Sequence, residues 1–170
     1  MLSKLSIKQK LILIMLIPLF VVILLAAKLA VDSFSTSKNL QSLDNVVILS
    51  VKIGDLVHET QKERGMTAGF LGSNGEKFKI ELPAQRLVVD EKFKELNAFL
   101  STFDKDVYSS EFLENLNNSL KKLQDLNNNR TGVNNLSINT GVAIAYYTDT
   151  ISLLLNTVGT ITKLSNSAKV

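Results

Sequence analysis

The sequence predicts an all-α protein, an up-down antiparallel four-helix bundle continuous with an N-terminal transmembrane helix. Three observations carry that reading. Seventeen uncharged, mostly aliphatic residues run from Leu11 to Ala27. Beyond them, apolar side chains recur in alternating steps of three and four, the period of interdigitating helices, without strand-like alternation. Short polar or Gly-containing stretches at 72–75, 104–110 and 127–135 divide the pattern into four long segments.

Residues 1–10 carry Lys4, Lys8 and Lys10 and are expected to form a cytoplasmic N-terminus by the positive-inside rule. The span 11–31 would reach about 31 Å as a helix, the hydrocarbon thickness of a bilayer. Lys28 sits near enough to its end to reach the headgroups. A cleaved signal peptide fits less well, because its apolar core is shorter and ends in a small-x-small site, whereas Leu25 or Lys28 would occupy the critical position here. Residues 33–170 then form the external helical domain.

The first helix runs from the membrane to about Leu71, where Gly72, Ser73, Asn74 and Gly75 make a turn. Its expected inward stripe is Leu40, Leu43, Val47, Gly54, Val57, Gln61, Arg64, Ala68 and Leu71. A second helix begins near Leu82–Pro83, since proline suits an early helical position, and runs to about Phe103. Leu82, Arg86, Val89, Phe93, Leu96, Leu100 and Phe103 form its stripe. Ser109 or Ser110 caps the third, with Glu111 and Glu114 favoured near its positive end. That helix carries Leu113, Leu116, Leu120, Leu123, Asn127 and Arg130 inward and stops near Arg130 in the tract NNNRTGVNN. A fourth runs from about Ser137 to Leu164 with Ile144, Tyr147, Ile151, Leu154, Val158 and Ile161 inward.

Charge and composition exclude several functions. The formal charge of +3 belongs to the N-terminus, because residues 33–170 hold fifteen basic and fifteen acidic side chains. A nucleic-acid-binding domain would need a basic face, so no nucleic-acid partner is expected. Cysteine is absent and His58 is the single histidine, which leaves no thiolate chemistry and no histidine-based metal centre. Asp55, His58 and Glu59 share a helix face but lack a second half-site, so they read as a solvated surface. Without placed acid, base or nucleophile groups the protein is not expected to be an enzyme, and no cofactor is required.

The chain has sixteen lysines but only three arginines, Arg64, Arg86 and Arg130, and all three fall on inward stripes. At 1.5 Å per residue, Arg64 lies about 10 Å from Leu71 and Arg86 about 6 Å from Leu82. Arg130 ends its helix, and Tyr146 and Tyr147 lie roughly 14 Å from Ser137. Together they converge on the membrane-distal part of one bundle. Two guanidinium groups about 8 Å apart repel by roughly 2 kcal/mol at an effective dielectric near 20, and an uncompensated buried charge costs more. Glu63 and Asp90 are the nearby carboxylates, but Glu63 should point about 100° away from Arg64 on the helix, so internal partners look scarce. A small planar anion is the alternative partner. Guanidinium meets a flat oxyanion through two parallel hydrogen bonds, which lysine cannot do. The expected anion ligands are Arg64 and Arg86, joined by Arg130 and Tyr147.

The stretch LVHETQKERGMTAGFLGSNGEKF followed by LPAQRLVVD resembles the nitrate- and nitrite-sensing (NIT) domain of bacterial chemoreceptors and other signal-transduction proteins. Gln61 to Gly65, Phe70 to Ser73, and Gln85–Arg86 followed by Asp90 carry the likeness. Residues 145–148, AYYT, match a weaker block, and LSIKQKLILIMLIPL is similar to the start of many chemoreceptors. The resemblance implies an all-helical sensor that binds nitrate or nitrite through arginines and signals across the bacterial inner membrane from the periplasm. Arg64 and Arg86 carry over directly, Arg130 less so. The family's domain usually continues with a second bundle-like half, a second membrane helix and signalling modules, and none follows Val170. The chain is therefore expected to match the family's N-terminal part, as a truncated product or with a partner. Membrane lipid and a second copy of the chain are the other expected partners. Two further readings use the same residues. One is a dimerising anchored bundle without ligand, packed through Gly54, Gly65 and Gly69; the other is a chemoreceptor-type bundle for amino or organic acids.

Overall fold

A computed structural model describes residues 7–103, 105 and 108–167, apart from the side chains of 9–10, 12–14, 17, 34–43 and 161–167. Lys4, and the side chains of Lys10, Leu40, Leu43 and Ile161 assigned above, lie outside the described residues. Within them the protein is all-α, with five helices and no strand: α1 (Ile7–Gly72), α2 (Glu81–Leu100), α3 (Ser110–Gln124), α4 (Leu126–Asn134) and α5 (Thr140–Ser167). The chain divides into two compact units, Met1–Asp44 and Asn45–Val170.

Residues 7–44 of the first unit are the early part of α1, with Pro18 inside the helix. Seven consecutive residues from Leu19 to Leu25 are each between 48% and 63% exposed, so every face of this stretch presents apolar side chains. Among the described residues no helix is long and apolar enough to cross a membrane. The side chains of residues 12–14 and 17, within the expected span, lie outside that set.

The second unit holds the core. On α1 the buried positions are Leu49, Ile53, Leu56, Val57, Thr60, Glu63 and Thr67. This overturns part of the expected stripe, since Val47 is 60% exposed and Gly54 and Gln61 also face outward. Arg64, Ala68 and Leu71 are half-buried, and among the described side chains of that stripe Val57 alone is fully buried in the core. The physical reason is twofold: between residues 47 and 56 the outward face carries Val47, Ile48 and Val51 beside the buried Leu49, Ile53 and Leu56, and further along the inward face is built from Thr60, Glu63 and Thr67. An apolar-periodicity reading passes over such a face. Thr60 satisfies its hydroxyl on the Leu56 carbonyl at 2.7 Å, so it can sit in the core at small cost.

The expected face of α2 is the observed one, with Leu82, Arg86, Val89, Leu96 and Leu100 buried. The connection from α1 turns tightly: Asn74 and Gly75 take φ of 54° and 90°, and Gly75 N–H donates to the Phe70 carbonyl at 2.8 Å. Phe78, at φ 60°, then lays its ring against Gly69. A Cβ on Gly69 would overlap the Phe78 ring edge, so a larger residue there would have to push that partly exposed ring aside.

At the other end, Phe99, Phe103, Tyr108 and Phe112 pack ring against ring in sequence, Phe103 and Tyr108 stacked with centroids 4.7 Å apart and the other pairs tilted. Ser109 caps α3 as expected, its hydroxyl accepting from Phe112 N–H at 3.3 Å.

The single third helix of the sequence reading is two helices, parted at Asp125. The tract read as a stop, residues 127–135, instead lies largely in α4. Leu126, Arg130 and Val133 are buried at spacings of four and three, and this packing outweighs the weak helix preference of Asn and Gly. Asn127 is exposed, while Arg130 stands mid-helix and not at a terminus. The last helix begins at Thr140, with Asn139 Oδ1 accepting from Gly141 N–H at 2.8 Å.

Candidate anion site

Glu63 of α1 is fully buried and sits at the centre of a polar network. Its Oε1 accepts from Arg130 Nε and from the Tyr147 hydroxyl, and its Oε2 from Arg130 Nη2, each at 2.8 Å. Arg130 therefore grips Glu63 through the side-on fork of its guanidinium. Its Nη1 donates to Asp90 Oδ1 at 2.6 Å, and Nη2 also reaches the Arg86 carbonyl at 3.3 Å. One side chain of α4 thus ties α1 to α2, and Tyr147 adds α5. Burial alone would push the Arg130 guanidinium down, but bonds to Glu63 and Asp90 outweigh it and raise it.

This corrects the expectation that carboxylate partners are scarce. With Glu63 on the inward face of α1, it supplies negative charge to Arg130 and, at 3.5 Å, to Arg86. Arg64 itself is half-buried and donates from Nη1 to Thr148 Oγ1 at 3.2 Å. No hydrogen bond or ion pair among the described residues joins Arg64 to Arg86, Arg130 or Glu63. Arg86, Arg130 and Tyr147 are brought together; Arg64 is not.

Arg86 is the member left incomplete. It is 9% exposed, and its Nη1 donates to Asn134 Oδ1 at 2.6 Å. Its Nε lies 3.5 Å from Glu63 Oε1, within ion-pair range but too far for a hydrogen bond. Both Nε and Nη2 are buried without a hydrogen-bond partner. These two atoms form the same side-on fork that Arg130 uses on Glu63. In Arg130 the fork is filled by a carboxylate; in Arg86 the equivalent pair of N–H groups is bare. Burial holds the Arg86 guanidinium below the usual arginine range, and Tyr147 and Glu63 offset only part of that. Leaving such donors unmade costs about 1–3 kcal/mol each, more on a charged group. Arg86 and Asn134 also line a cavity of about 340 Å³ with Phe70, Lys79, Leu82 and Leu136.

The tyrosines respond to the same surroundings. Tyr147 is pushed up by burial and by Glu63; Tyr146, whose hydroxyl donates to the Lys122 carbonyl, is pushed up to about 12 by burial and by Asp125. Both folded values exceed the unfolded value of about 10, so these groups stabilise the fold fully below pH about 10 and lose that contribution as pH rises further. The denaturation midpoint of Tyr147→Phe is expected to fall less steeply than wild type above pH about 10. Parallel curves would show that Tyr147 ionisation plays no part.

Of the residues that complete this network, Glu63 and Asp90 are visible in the sequence as nearby carboxylates. Asn134 carries no signal, being one amide in an Asn-rich tract. His58 and Asp55 are exposed, and Glu59 accepts from Lys62 Nζ at 2.8 Å and Gln85 Nε2 at 2.7 Å. Among the described residues no group of three or more acidic or histidine side chains could hold a metal ion.

Comparison with known proteins adds to this geometry. Residues 55–170 match the family described as nitrate and nitrite sensing. The chain is similar to the solved structure of the NasR transcription antiterminator, with a TM-score of 0.72 and 27% identity over 80% of this chain and 38% of that one. It thus spans well under half the length of that protein. No curated protein matches the chain.

Proposed function

Because the chain belongs to the nitrate- and nitrite-sensing family, we propose that its helical unit is a receptor for nitrate or nitrite, not an enzyme, and that the anion seats on the Nε–Nη2 edge of Arg86. The observation that carries this reading is the bare, buried fork. Nitrate and nitrite offer two oxygens on one planar centre, the geometry that Glu63 offers Arg130. The fork is closed to water, so the anion reaches it from the neighbouring cavity only as the wall between them gives way. Entry thereby displaces side chains shared by α2 and α4. That displacement biases a conformational equilibrium by the anion's differential affinity, typically 1–3 kcal/mol.

Residues 11–31 anchor the receptor in the bacterial inner membrane, with the helical unit on the periplasmic side and the signal passed across the bilayer. Support comes from the apolar run, the preceding lysines, and the exposure of Leu19 to Leu25 on all faces. A second copy covers the outward face of α1, where Val47, Ile48 and Val51 are exposed and Gly54 and Gly65 leave open space.

Thermal unfolding of the detergent-solubilised full chain tests the seat. A hundredfold excess of nitrate or nitrite over Kd is expected to stabilise the wild type by about 2.7 kcal/mol, with chloride much less effective. Arg86→Lys keeps the charge but loses the fork, and its response should fall to the chloride level. Equal responses to all three anions, or an undiminished nitrate response in Arg86→Lys, would refute the seat. A response to aspartate or citrate in place of nitrate would point to an organic-acid receptor.

A further inference from the structure

We propose that Asn134 is a positioning and selectivity residue of the Arg86 seat: its neutral amide aims the guanidinium without supplying the counter-charge, which keeps the seat available to an external anion. The inference rests on the nitrate reading above.

Asn134 is the last residue of α4, and its Oδ1 takes the Nη1 hydrogen of Arg86 at 2.6 Å. A guanidinium is flat, so holding Nη1 limits the direction of the opposite Nε–Nη2 edge. The neighbouring arginine shows what a charged partner does in this environment. Arg130 has Glu63 on its fork and Asp90 on Nη1, and its hydrogen-bonding side is filled. Arg86 has an amide at the position equivalent to Asp90 and no hydrogen bond on its fork, whose Nε has Glu63 Oε1 at 3.5 Å. Asparagine and aspartate have the same shape, and the acceptor atom is the same oxygen, so geometry does not dictate the neutral choice. The consequence of that choice is electrostatic. Glu63 and Asp90 are both engaged by Arg130, and Arg86 remains the under-compensated cation beside the cavity that Asn134 also lines.

The test compares wild type, Asn134→Asp and Asn134→Ala as full chains in detergent, titrated with sodium nitrate against sodium chloride. The wild type is expected to show a nitrate-specific rise in melting temperature. In Asn134→Asp that rise should vanish, because an internal carboxylate now neutralises Arg86. In Asn134→Ala the rise at saturation should persist with Kd weakened about tenfold, as expected on losing one charge-assisted hydrogen bond that orients the fork. A nitrate response with wild-type Kd in Asn134→Asp would overturn the proposal. If Asn134→Asp does not fold, the alanine variant decides: an unchanged Kd overturns the proposal and a weakened one supports it. A wild type indifferent to nitrate would remove the Arg86 seat itself, a failure distinct from either variant's.

Discussion

Replacing Glu63 with alanine is expected to destabilise the helical unit by about 3–5 kcal/mol, the cost of leaving a buried guanidinium without its carboxylate. Glu63 is fully buried and receives both donors of the Arg130 fork and the Tyr147 hydroxyl. Its removal leaves Arg130 on α4 with the half-exposed Asp90 as its one carboxylate partner, and takes from Arg86 the nearest negative charge, 3.5 Å from its Nε. A cavity term adds to the electrostatic one, since Glu63 is fully buried. Glu63→Gln keeps the shape and one acceptor oxygen, so its loss should be smaller, about 2–3 kcal/mol. Urea unfolding of the full chain measures both. A loss below about 1 kcal/mol in Glu63→Ala would place the network at the surface in solution, where ion pairs contribute little.

Arg130→Leu should cost a similar amount, about 3–5 kcal/mol, by leaving the buried Glu63 carboxylate with the tyrosine hydroxyl as its one close donor. It also carries a functional signature. With Arg130 gone, Glu63 is free to close the 3.5 Å gap to Arg86 and occupy its fork, and the nitrate response should disappear. The double variant Glu63→Leu with Arg130→Leu separates the two effects. Removing both charges and filling the space with carbon should recover most of the stability lost in either single variant, because the pair's desolvation penalty is removed with it. Additive losses in the double variant would mean that the two side chains do not act on each other.

The sequence and the structure agree where one helix face alone is apolar and disagree where apolar residues lie on two faces or the inward face is polar. On α2 every inward position was legible, because Leu82, Val89, Leu96 and Leu100 mark the face and Arg86 falls in line with them. The cap at Ser109 was equally legible, a serine just before an acidic first turn. The rotation of α1 was not. Its inward residues near the site are Thr60, Glu63 and Thr67, while its outward face keeps Val47, Ile48 and Val51, so counting apolar spacings selected a face turned away from the core. That error exchanged the roles of Glu63 and Arg64. The helix α4 was hidden for a related reason: six Asn and Gly residues among its neighbours read as a stop, and only the tertiary bonds of Arg130 and the burial of Leu126 and Val133 favour helix there. The concentration of arginine at one end survived these misreadings because it depends on depth along the helices more than on their rotation.

Three arginines make a direct measurement feasible, since each side-chain Nε–H gives its own resonance in a ¹⁵N-labelled full chain. Titration with nitrate at constant ionic strength, with chloride as the exchanged ion, tests the Arg86 seat at the level of the atom that forms it. The Arg86 Nε–H signal is predicted to move to a hydrogen-bonded position and saturate, while that of Arg130, already bound to Glu63, stays within the shift that chloride produces. A saturating shift at Arg64 with Arg86 unmoved, or no saturating shift at any of the three, would contradict it.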